Sequence, residues 1–114
     1  LSMGATKAWW LAALDPRIAA VAHLCCFADF RTMIELGAHD GHGIYLTVPG
    51  LLKETDCGGI AALVAPRPQL VCIGEADNLT PPEAVARASV RRVLDALRAV
   101  ARRAQDPARS LSAD

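Results

Sequence analysis

Two stretches of the chain, "IAAVAHLC" at residues 18–25 and "QLVCI" at 69–73, are short and almost uninterruptedly apolar. A strand with one wet face alternates apolar and polar residues. A run without that alternation reads as a strand buried on both faces, the habit of parallel sheets. Parallel strands need a long connection, and the segments around these two carry helical patterns. Strands alternating with helices predict an α/β fold with a parallel sheet. Two strands are fewer than such a sheet needs, and no internal repeat supplies more. At 114 residues the chain is one domain at most, or the later part of a larger one.

Residues 5–14, rich in Ala and Leu with Trp9 and Trp10, predict a helix that stops at Asp15-Pro16, because proline disfavours helix in the residue before it. A second helix is predicted over 27–38, with Phe27, Phe30, Met33 and Ile34 on one side. Residues 39–50, "HDGHGIYLTVPG", are punctuated by Gly41, Gly43, Pro49 and Gly50 and read as a loop, with an extended piece at 44–48. Residues 56–64 read as a short helix opened by an aspartate cap and stopped by Pro66 and Pro68. After "TPP" at 80–82, residues 83–104 predict a long helix. Its apolar stripe is Val90, Val93, Leu94, Leu97, Val100, Ala101 and Ala104. The expected organisation is one α/β unit over 1–104, with a cap-like excursion at 27–60 and a frayed tail at 105–114.

Composition bounds the function. Hydrophobic residues make up 53% of the chain, an excess for a free-standing domain that buries roughly two-thirds of its unfolded surface. It suits a piece that packs against more protein. The formal net charge is zero, so bulk electrostatics favour neither nucleic acid nor a membrane surface as partner. The charge is uneven: residues 1–80 hold five Lys/Arg against eight Asp/Glu, residues 81–114 seven Arg against four acids. Arg87, Arg91, Arg98 and Arg102 share one helix face, as on a solvated surface helix. They lack the aromatic or glycine interleaving of a nucleic-acid patch and the bulky apolar counter-face of a membrane-surface helix. No run reaches the roughly 18–20 apolar residues of a membrane span. Cys25, Cys26, Cys57 and Cys72 form no C-x-x-C pair, so they read as buried free thiols rather than zinc ligands, and weakly favour a reducing, cytoplasmic setting. Oligomeric state leaves no mark in the sequence.

The chemistry gathers at the start, "LSMGATKAWW". Leu1-Ser2-Met3-Gly4 fit the last four places of G-x-S-x-G, followed at once by a helix. In that elbow a sharp strand-to-helix turn exposes the serine, and the next N–H, here of Met3, points to where an oxyanion forms. A serine before a helix can equally be an N-cap. The chain is expected to begin inside the elbow, as a fragment. A triad also needs an acid at the end of a later strand, and "LVCIGEADNLTPP" offers Asp77, with Glu75 as competitor; the Gly-x-x-Asp spacing favours Asp77. The third member, a histidine after the acid, is missing: His23, His39 and His42 all precede Asp77. His23 reads as a satisfied core histidine. His39 and His42 lie in the glycine-rich excursion and could line a pocket, as could Tyr45.

With "SMGATKAWWLAALDPRI", "HGIYLTVPGLL" and "IAALVAPRPQLVCIGEADNLTPP" in this order and spacing, residues 1 to about 86 resemble the α/β-hydrolase superfamily, in its dienelactone-hydrolase and acetyl-xylan-esterase-like branch. The resemblance implies a partial α/β-hydrolase fold in which Ser2 is the nucleophile, Met3 an oxyanion donor and Asp77 the residue that orients the histidine. It implies a serine esterase without metal or cofactor, acting on a small-molecule ester through an acyl-enzyme. The first elbow glycine and the Gly-His of the last strand are departures, and in place of the latter stands an Arg/Ala-rich segment from 87 on. That segment reads as an ordinary surface helix or as out-of-frame translation. The chain alone is expected to fold poorly and to hydrolyse nothing. A prolyl-oligopeptidase-like peptidase with the same nucleophile and acid, and a non-catalytic remnant or binding protein in which Ser2 is only a cap, stand beside the esterase reading.

Overall fold

A computed structural model of the chain describes residues 1–105. The element order is α1 (Met3–Leu14), β1 (Val21–Leu24), α2 (Phe30–Glu35), α3 (Leu51–Glu54), α4 (Cys57–Ala62), β2 (Gln69–Cys72) and α5 (Pro82–Gln105). β1 and β2 pair in parallel, with Val21 opposite Gln69 and Leu24 opposite Cys72. The mixed α/β class with parallel strands is therefore as the apolar runs predict. The tail expected at 105–114 lies, from residue 106, outside the described residues.

Burial of both sheet faces does not hold. Within the strands His23 is buried and Val71 half-buried against the helices, while Ala22, Leu24, Leu70 and Cys72 are exposed. The described sheet has two strands, and the helices that pack on it cover one face, so the apolar runs leave their alternate residues open. Cysteine burial fails with it. Only Cys57 is buried; Cys25 and Cys26 are half-buried and Cys72 exposed. Burial raises the Cys57 thiol pKa, and the neighbouring Asp56 carboxylate pushes the same way, which leaves that thiol protonated and inert.

The core forms where α1 meets β1 and α4. Trp9, Phe27, Cys57, Ala61 and Ala88 make one cluster, with Trp10, Phe30, Val71 and Ile73 packed against it. Trp9 meets Phe27 edge-on at 5.9 Å, and Phe27 meets the His23 ring at 5.5 Å, the tilted geometry that aromatic quadrupoles favour. Phe27 does this from a loop, because helix α2 begins three residues later than predicted. Asp29 caps α2 through the Thr32 N–H (2.9 Å). Asp56 serves two helices at once: it accepts from Cys57 N (2.6 Å) at the start of α4, and from Phe30 N (2.7 Å) and Arg31 N (2.9 Å) at the start of α2. The aspartate cap was legible in the sequence, but its second helix was not.

The extended piece expected at 44–48 is instead a 3-10 turn, Ile44–Leu46, preceded by another at Ala38–Gly41. With no strand beside it among the described residues, this stretch satisfies amides locally: His42 N bonds to His39 O (3.0 Å) and Thr47 N to Ile44 O (2.9 Å). The apolar stripe of α5 is also not buried; Leu97 is 62% exposed, and Val90, Val93, Leu94 and Val100 are open as well. Length explains it. Helix α4 has six residues, about 9 Å, against 24 residues, about 36 Å, in α5. Contact with α4 lies in the N-terminal part of α5, where a Cβ on Gly58 would come within 2.5 Å of the Ala88 carbonyl and one on Gly59 within 3.6 Å of Asp95. The arginine face is a solvated ladder as expected: Arg87 pairs with Glu83 (2.9 Å), and Arg91 and Arg98 share Asp95.

Two polar groups, half-buried Arg67 and buried His23, hold positions that substitution would disturb. The Arg67 guanidinium donates to the carbonyls of Ala12 (2.7 Å), Ile18 (2.8 Å) and Asp15 (3.0 Å). Replacing Arg67 with Ala orphans carbonyls at the end of α1, and the expected loss is about 2 kcal/mol or more, read as a lower denaturant midpoint. His23 is 1% exposed. Gln69 Nε2 lies 3.1 Å from its Nε2, which must accept, while Nδ1 has no partner among the described residues. It is thus a core histidine as predicted, but only half satisfied. Burial, then the charge of Arg92, lower its pKa to about 4. A folded pKa below the unfolded value of 6.5 means the unfolded chain binds the proton first. Stability is then full above about pH 6.5 and falls as pH drops toward 4, by on the order of 3 kcal/mol. Unfolding midpoints measured from pH 7 to 4 should show this slope in the native chain and a flatter one in His23→Phe.

Candidate functional site

In a parallel pair the carboxyl ends of both strands lie on one edge, and α/β sheets place their ligands there. Leu24 and Cys72, the last residues of β1 and β2, are register partners, so the segments leaving the two strands emerge side by side. Three segments meet at this edge. Ser2 is tied to it by its N–H, which donates to Leu24 O (3.0 Å). Cys25 and Cys26 leave β1 there, Cys25 N bonding to Cys72 O (2.7 Å). The loop with Asp77 leaves β2 there.

Ser2 has φ 53° and ψ −129°. This is a left-handed conformation that a side chain makes unfavourable, at a cost of roughly 1–3 kcal/mol. An ordinary N-cap has an extended backbone, and its oxygen accepts from the first turn. Ser2 has neither: its side chain makes no cap hydrogen bond and is exposed. Its Oγ faces Cys26 Sγ at 3.8 Å instead. Met3 is the first residue of α1, so its amide is one the helix itself cannot use. A Cβ on Gly4 would meet nothing within 4 Å, so this position does not require glycine for space.

Asp77 is half-buried in the loop after β2, with its N–H on Gly74 O (3.2 Å). Its Oδ1 accepts from Leu79 N and its Oδ2 from Thr80 Oγ1, both at 3.0 Å. The carboxylate therefore shapes its own loop. The sequence-predicted competitor, Glu75, is exposed. His42 reaches this loop from the excursion: its Nε2 is 2.6 Å from Leu79 O. His39 turns toward Asp40 instead, at 3.2 Å. The Tyr45 side chain lies outside the described set. Cys26 lines a cavity of about 20 Å³ together with Phe30, Met33, Leu46, Cys57, His42 and Thr80.

Ser2 and the Asp77 loop meet at one sheet edge, and so do Cys25 and Cys26, which the sequence marks only as buried thiols. Both have positive φ, 62° and 52°. Their signal was present as two adjacent cysteines at the end of an apolar strand run.

The chain is similar to the Bacillus subtilis (strain 168) protein described as "Putative hydrolase YtaP", with 45% identity over 85 residues, which are 75% of this chain and 28% of that protein. The chain thus spans a little over a quarter of the length of the curated relative it matches. That similarity supports a hydrolase. No protein-family profile matches the chain, and no solved structure does.

The backbone at Ser2 yields a test that separates elbow from cap. Ser2→Gly is expected to stabilise the fold by about 1 kcal/mol, because glycine adopts φ 53° without strain, and Ser2→Ala to leave stability unchanged. An N-cap serine would behave in the opposite way, losing about 1 kcal/mol on change to alanine. Denaturant midpoints of the three proteins decide.

Proposed function

We propose that this chain is the nucleophile-bearing part of an α/β-hydrolase-fold serine hydrolase acting on carboxylic esters. The observation that carries the reading is Ser2: left-handed, uncapped and exposed at the carboxyl edge of a parallel strand pair. A serine held in strain that its own side chain does nothing to relieve is what an activated nucleophile needs. Similarity to a protein described as a hydrolase supports the broad class. The resemblance of residues 1 to about 86 to the dienelactone-hydrolase and acetyl-xylan-esterase-like branch supports the narrower one.

In this reading Ser2 Oγ attacks the ester carbonyl carbon while a histidine takes its proton. The Met3 N–H, at the positive end of α1, receives the oxyanion. Collapse of the tetrahedral intermediate returns the proton to the departing alcohol and leaves an acyl-Ser2. Water, deprotonated by the same histidine, releases the acid. Asp77 would hold that histidine in the right tautomer. None of the three histidines here meets the role: His23 is buried at a pKa of about 4, His39 faces Asp40, and His42 holds the Leu79 carbonyl. The proposal therefore assigns the base to a part of the gene product other than these 114 residues. Metal and cofactor play no part in the scheme.

In the complete gene product a fluorophosphonate should label Ser2. Ser2→Ala should abolish the label and lower kcat/KM for p-nitrophenyl acetate by about 10⁴-fold or more, while unfolding as the native protein does. A label and turnover that survive Ser2→Ala would overturn the reading. Cleavage of peptide in preference to ester would turn it toward the prolyl-oligopeptidase-like alternative.

A further inference from the structure

We infer that Cys26 sets the acyl chain length the site accepts, standing as a gate between Ser2 and the cavity behind it. The inference rests on the proposed role of Ser2 as nucleophile.

Cys26 belongs to two places at once. Its Sγ is 3.8 Å from Ser2 Oγ, and the same side chain lines the cavity of about 20 Å³. An acyl group carried on Ser2 that turned toward the sheet edge would meet this sulfur first. The space beyond it is the size of one methyl group or one water molecule. Its walls favour the methyl. Phe30, Met33, Leu46 and Cys57 are apolar, and the two polar lining residues are already engaged, His42 with the Leu79 carbonyl and Thr80 with Asp77. A water there would find few free partners, whereas a methyl would bury apolar surface.

The backbone keeps the gate in place. Cys26 sits at φ 52°, and its carbonyl accepts from Trp9 Nε1 (3.4 Å), so it is anchored to a fully buried indole. Cys25 before it is bonded to the end of β2. These bonds hold the backbone of Cys26 in place, so the sulfur stays beside Ser2 unless the side chain turns about its Cα–Cβ bond. With the gate closed, a two-carbon acyl group fits beside Cys26, and each further methylene has to displace it. A pocket that rejects one methylene discriminates by roughly 10–200-fold.

The test compares kcat/KM for p-nitrophenyl acetate and butyrate in the complete gene product, as native protein and as Cys26→Gly, Cys26→Ala and Cys26→Ser. Cys26→Gly suits the positive φ, so its folding is not at stake. The native protein is expected to prefer acetate by about tenfold or more. Cys26→Gly and Cys26→Ala should raise the butyrate-to-acetate ratio by about tenfold, and Cys26→Ser should stay within about twofold of native. An unchanged ratio in Cys26→Gly with acetate turnover retained would overturn this inference alone. So would a native preference for butyrate, or a Cys26→Ser shift as large as that of Cys26→Gly. A native protein that neither turns over ester nor takes a fluorophosphonate on Ser2 would sink the inference together with the reading beneath it.

Discussion

The position of α1 depends on one guanidinium. Arg67 gathers three carbonyls from the last turn of α1 and the turn leading into β1, and so fixes how the helix is laid against the strand. A helix C-terminus has carbonyls with no partner of their own, and burying them without one costs free energy. Arginine suits the task because its planar fork holds several acceptors at once. The consequence reaches the other end of the helix. Ser2 is hydrogen-bonded to Leu24, and α1 is a rigid rod between those two attachments. The angle of the candidate nucleophile against the sheet edge is thus set by a residue on the far side of the molecule.

Small side chains complete that frame. Ala5, Ala12, Ala61, Ala84 and Ala88 are buried, and Gly58 lets α4 lie directly on the backbone of α5. Close backbone approach gives dense packing with little side-chain entropy to lose. The large apolar residues divide otherwise. Trp9, Phe27 and Met33 are inside, while Leu24, Leu70, Val93 and Leu97 are open. Apolar surface of this extent on a small chain marks a place where further protein packs. It agrees with the high hydrophobic fraction and with a chain that spans 28% of its relative.

The parts of the fold legible in the sequence are those that local forces govern. Helix α1, its stop at Asp15-Pro16, the Asp56 cap and both strands were legible, because periodicity, proline and capping act within a few residues. The misses are tertiary. Ile44–Leu46 looks extended by composition but has no neighbouring strand to pair with among the described residues. The stripe on α5 has the correct period for burial but outruns the six-residue helix it packs on. Asp56 as a double cap and Arg67 as a carbonyl clasp join residues 25 to 55 positions apart, and no local pattern reports such contacts. At the candidate site, Ser2 and the Asp77 loop could be assigned to one sheet edge from motif order alone. The Cys25-Cys26 corner between them could not, because its meaning lies in backbone angles.

Those angles carry the strongest physical argument for a site. Among the described residues, the non-glycine positions with positive φ are Ser2, Cys25 and Cys26, and the side chains of Ser2 and Cys26 touch. Each such residue costs on the order of 1–3 kcal/mol, and glycine would relieve it at every one. Left-handed strain scattered over turns would mean little. Strain concentrated in one corner, at the carboxyl edge of a parallel pair, must be held by its surroundings, and the bonds to Leu24, Cys72 and Trp9 are those restraints. A chain that spends stability in one place, with side chains there that make no compensating cap or ion pair, has fixed an atom where relaxation would move it. In the proposed reading Ser2 Oγ is the atom so placed, and Cys26 Sγ is what it faces.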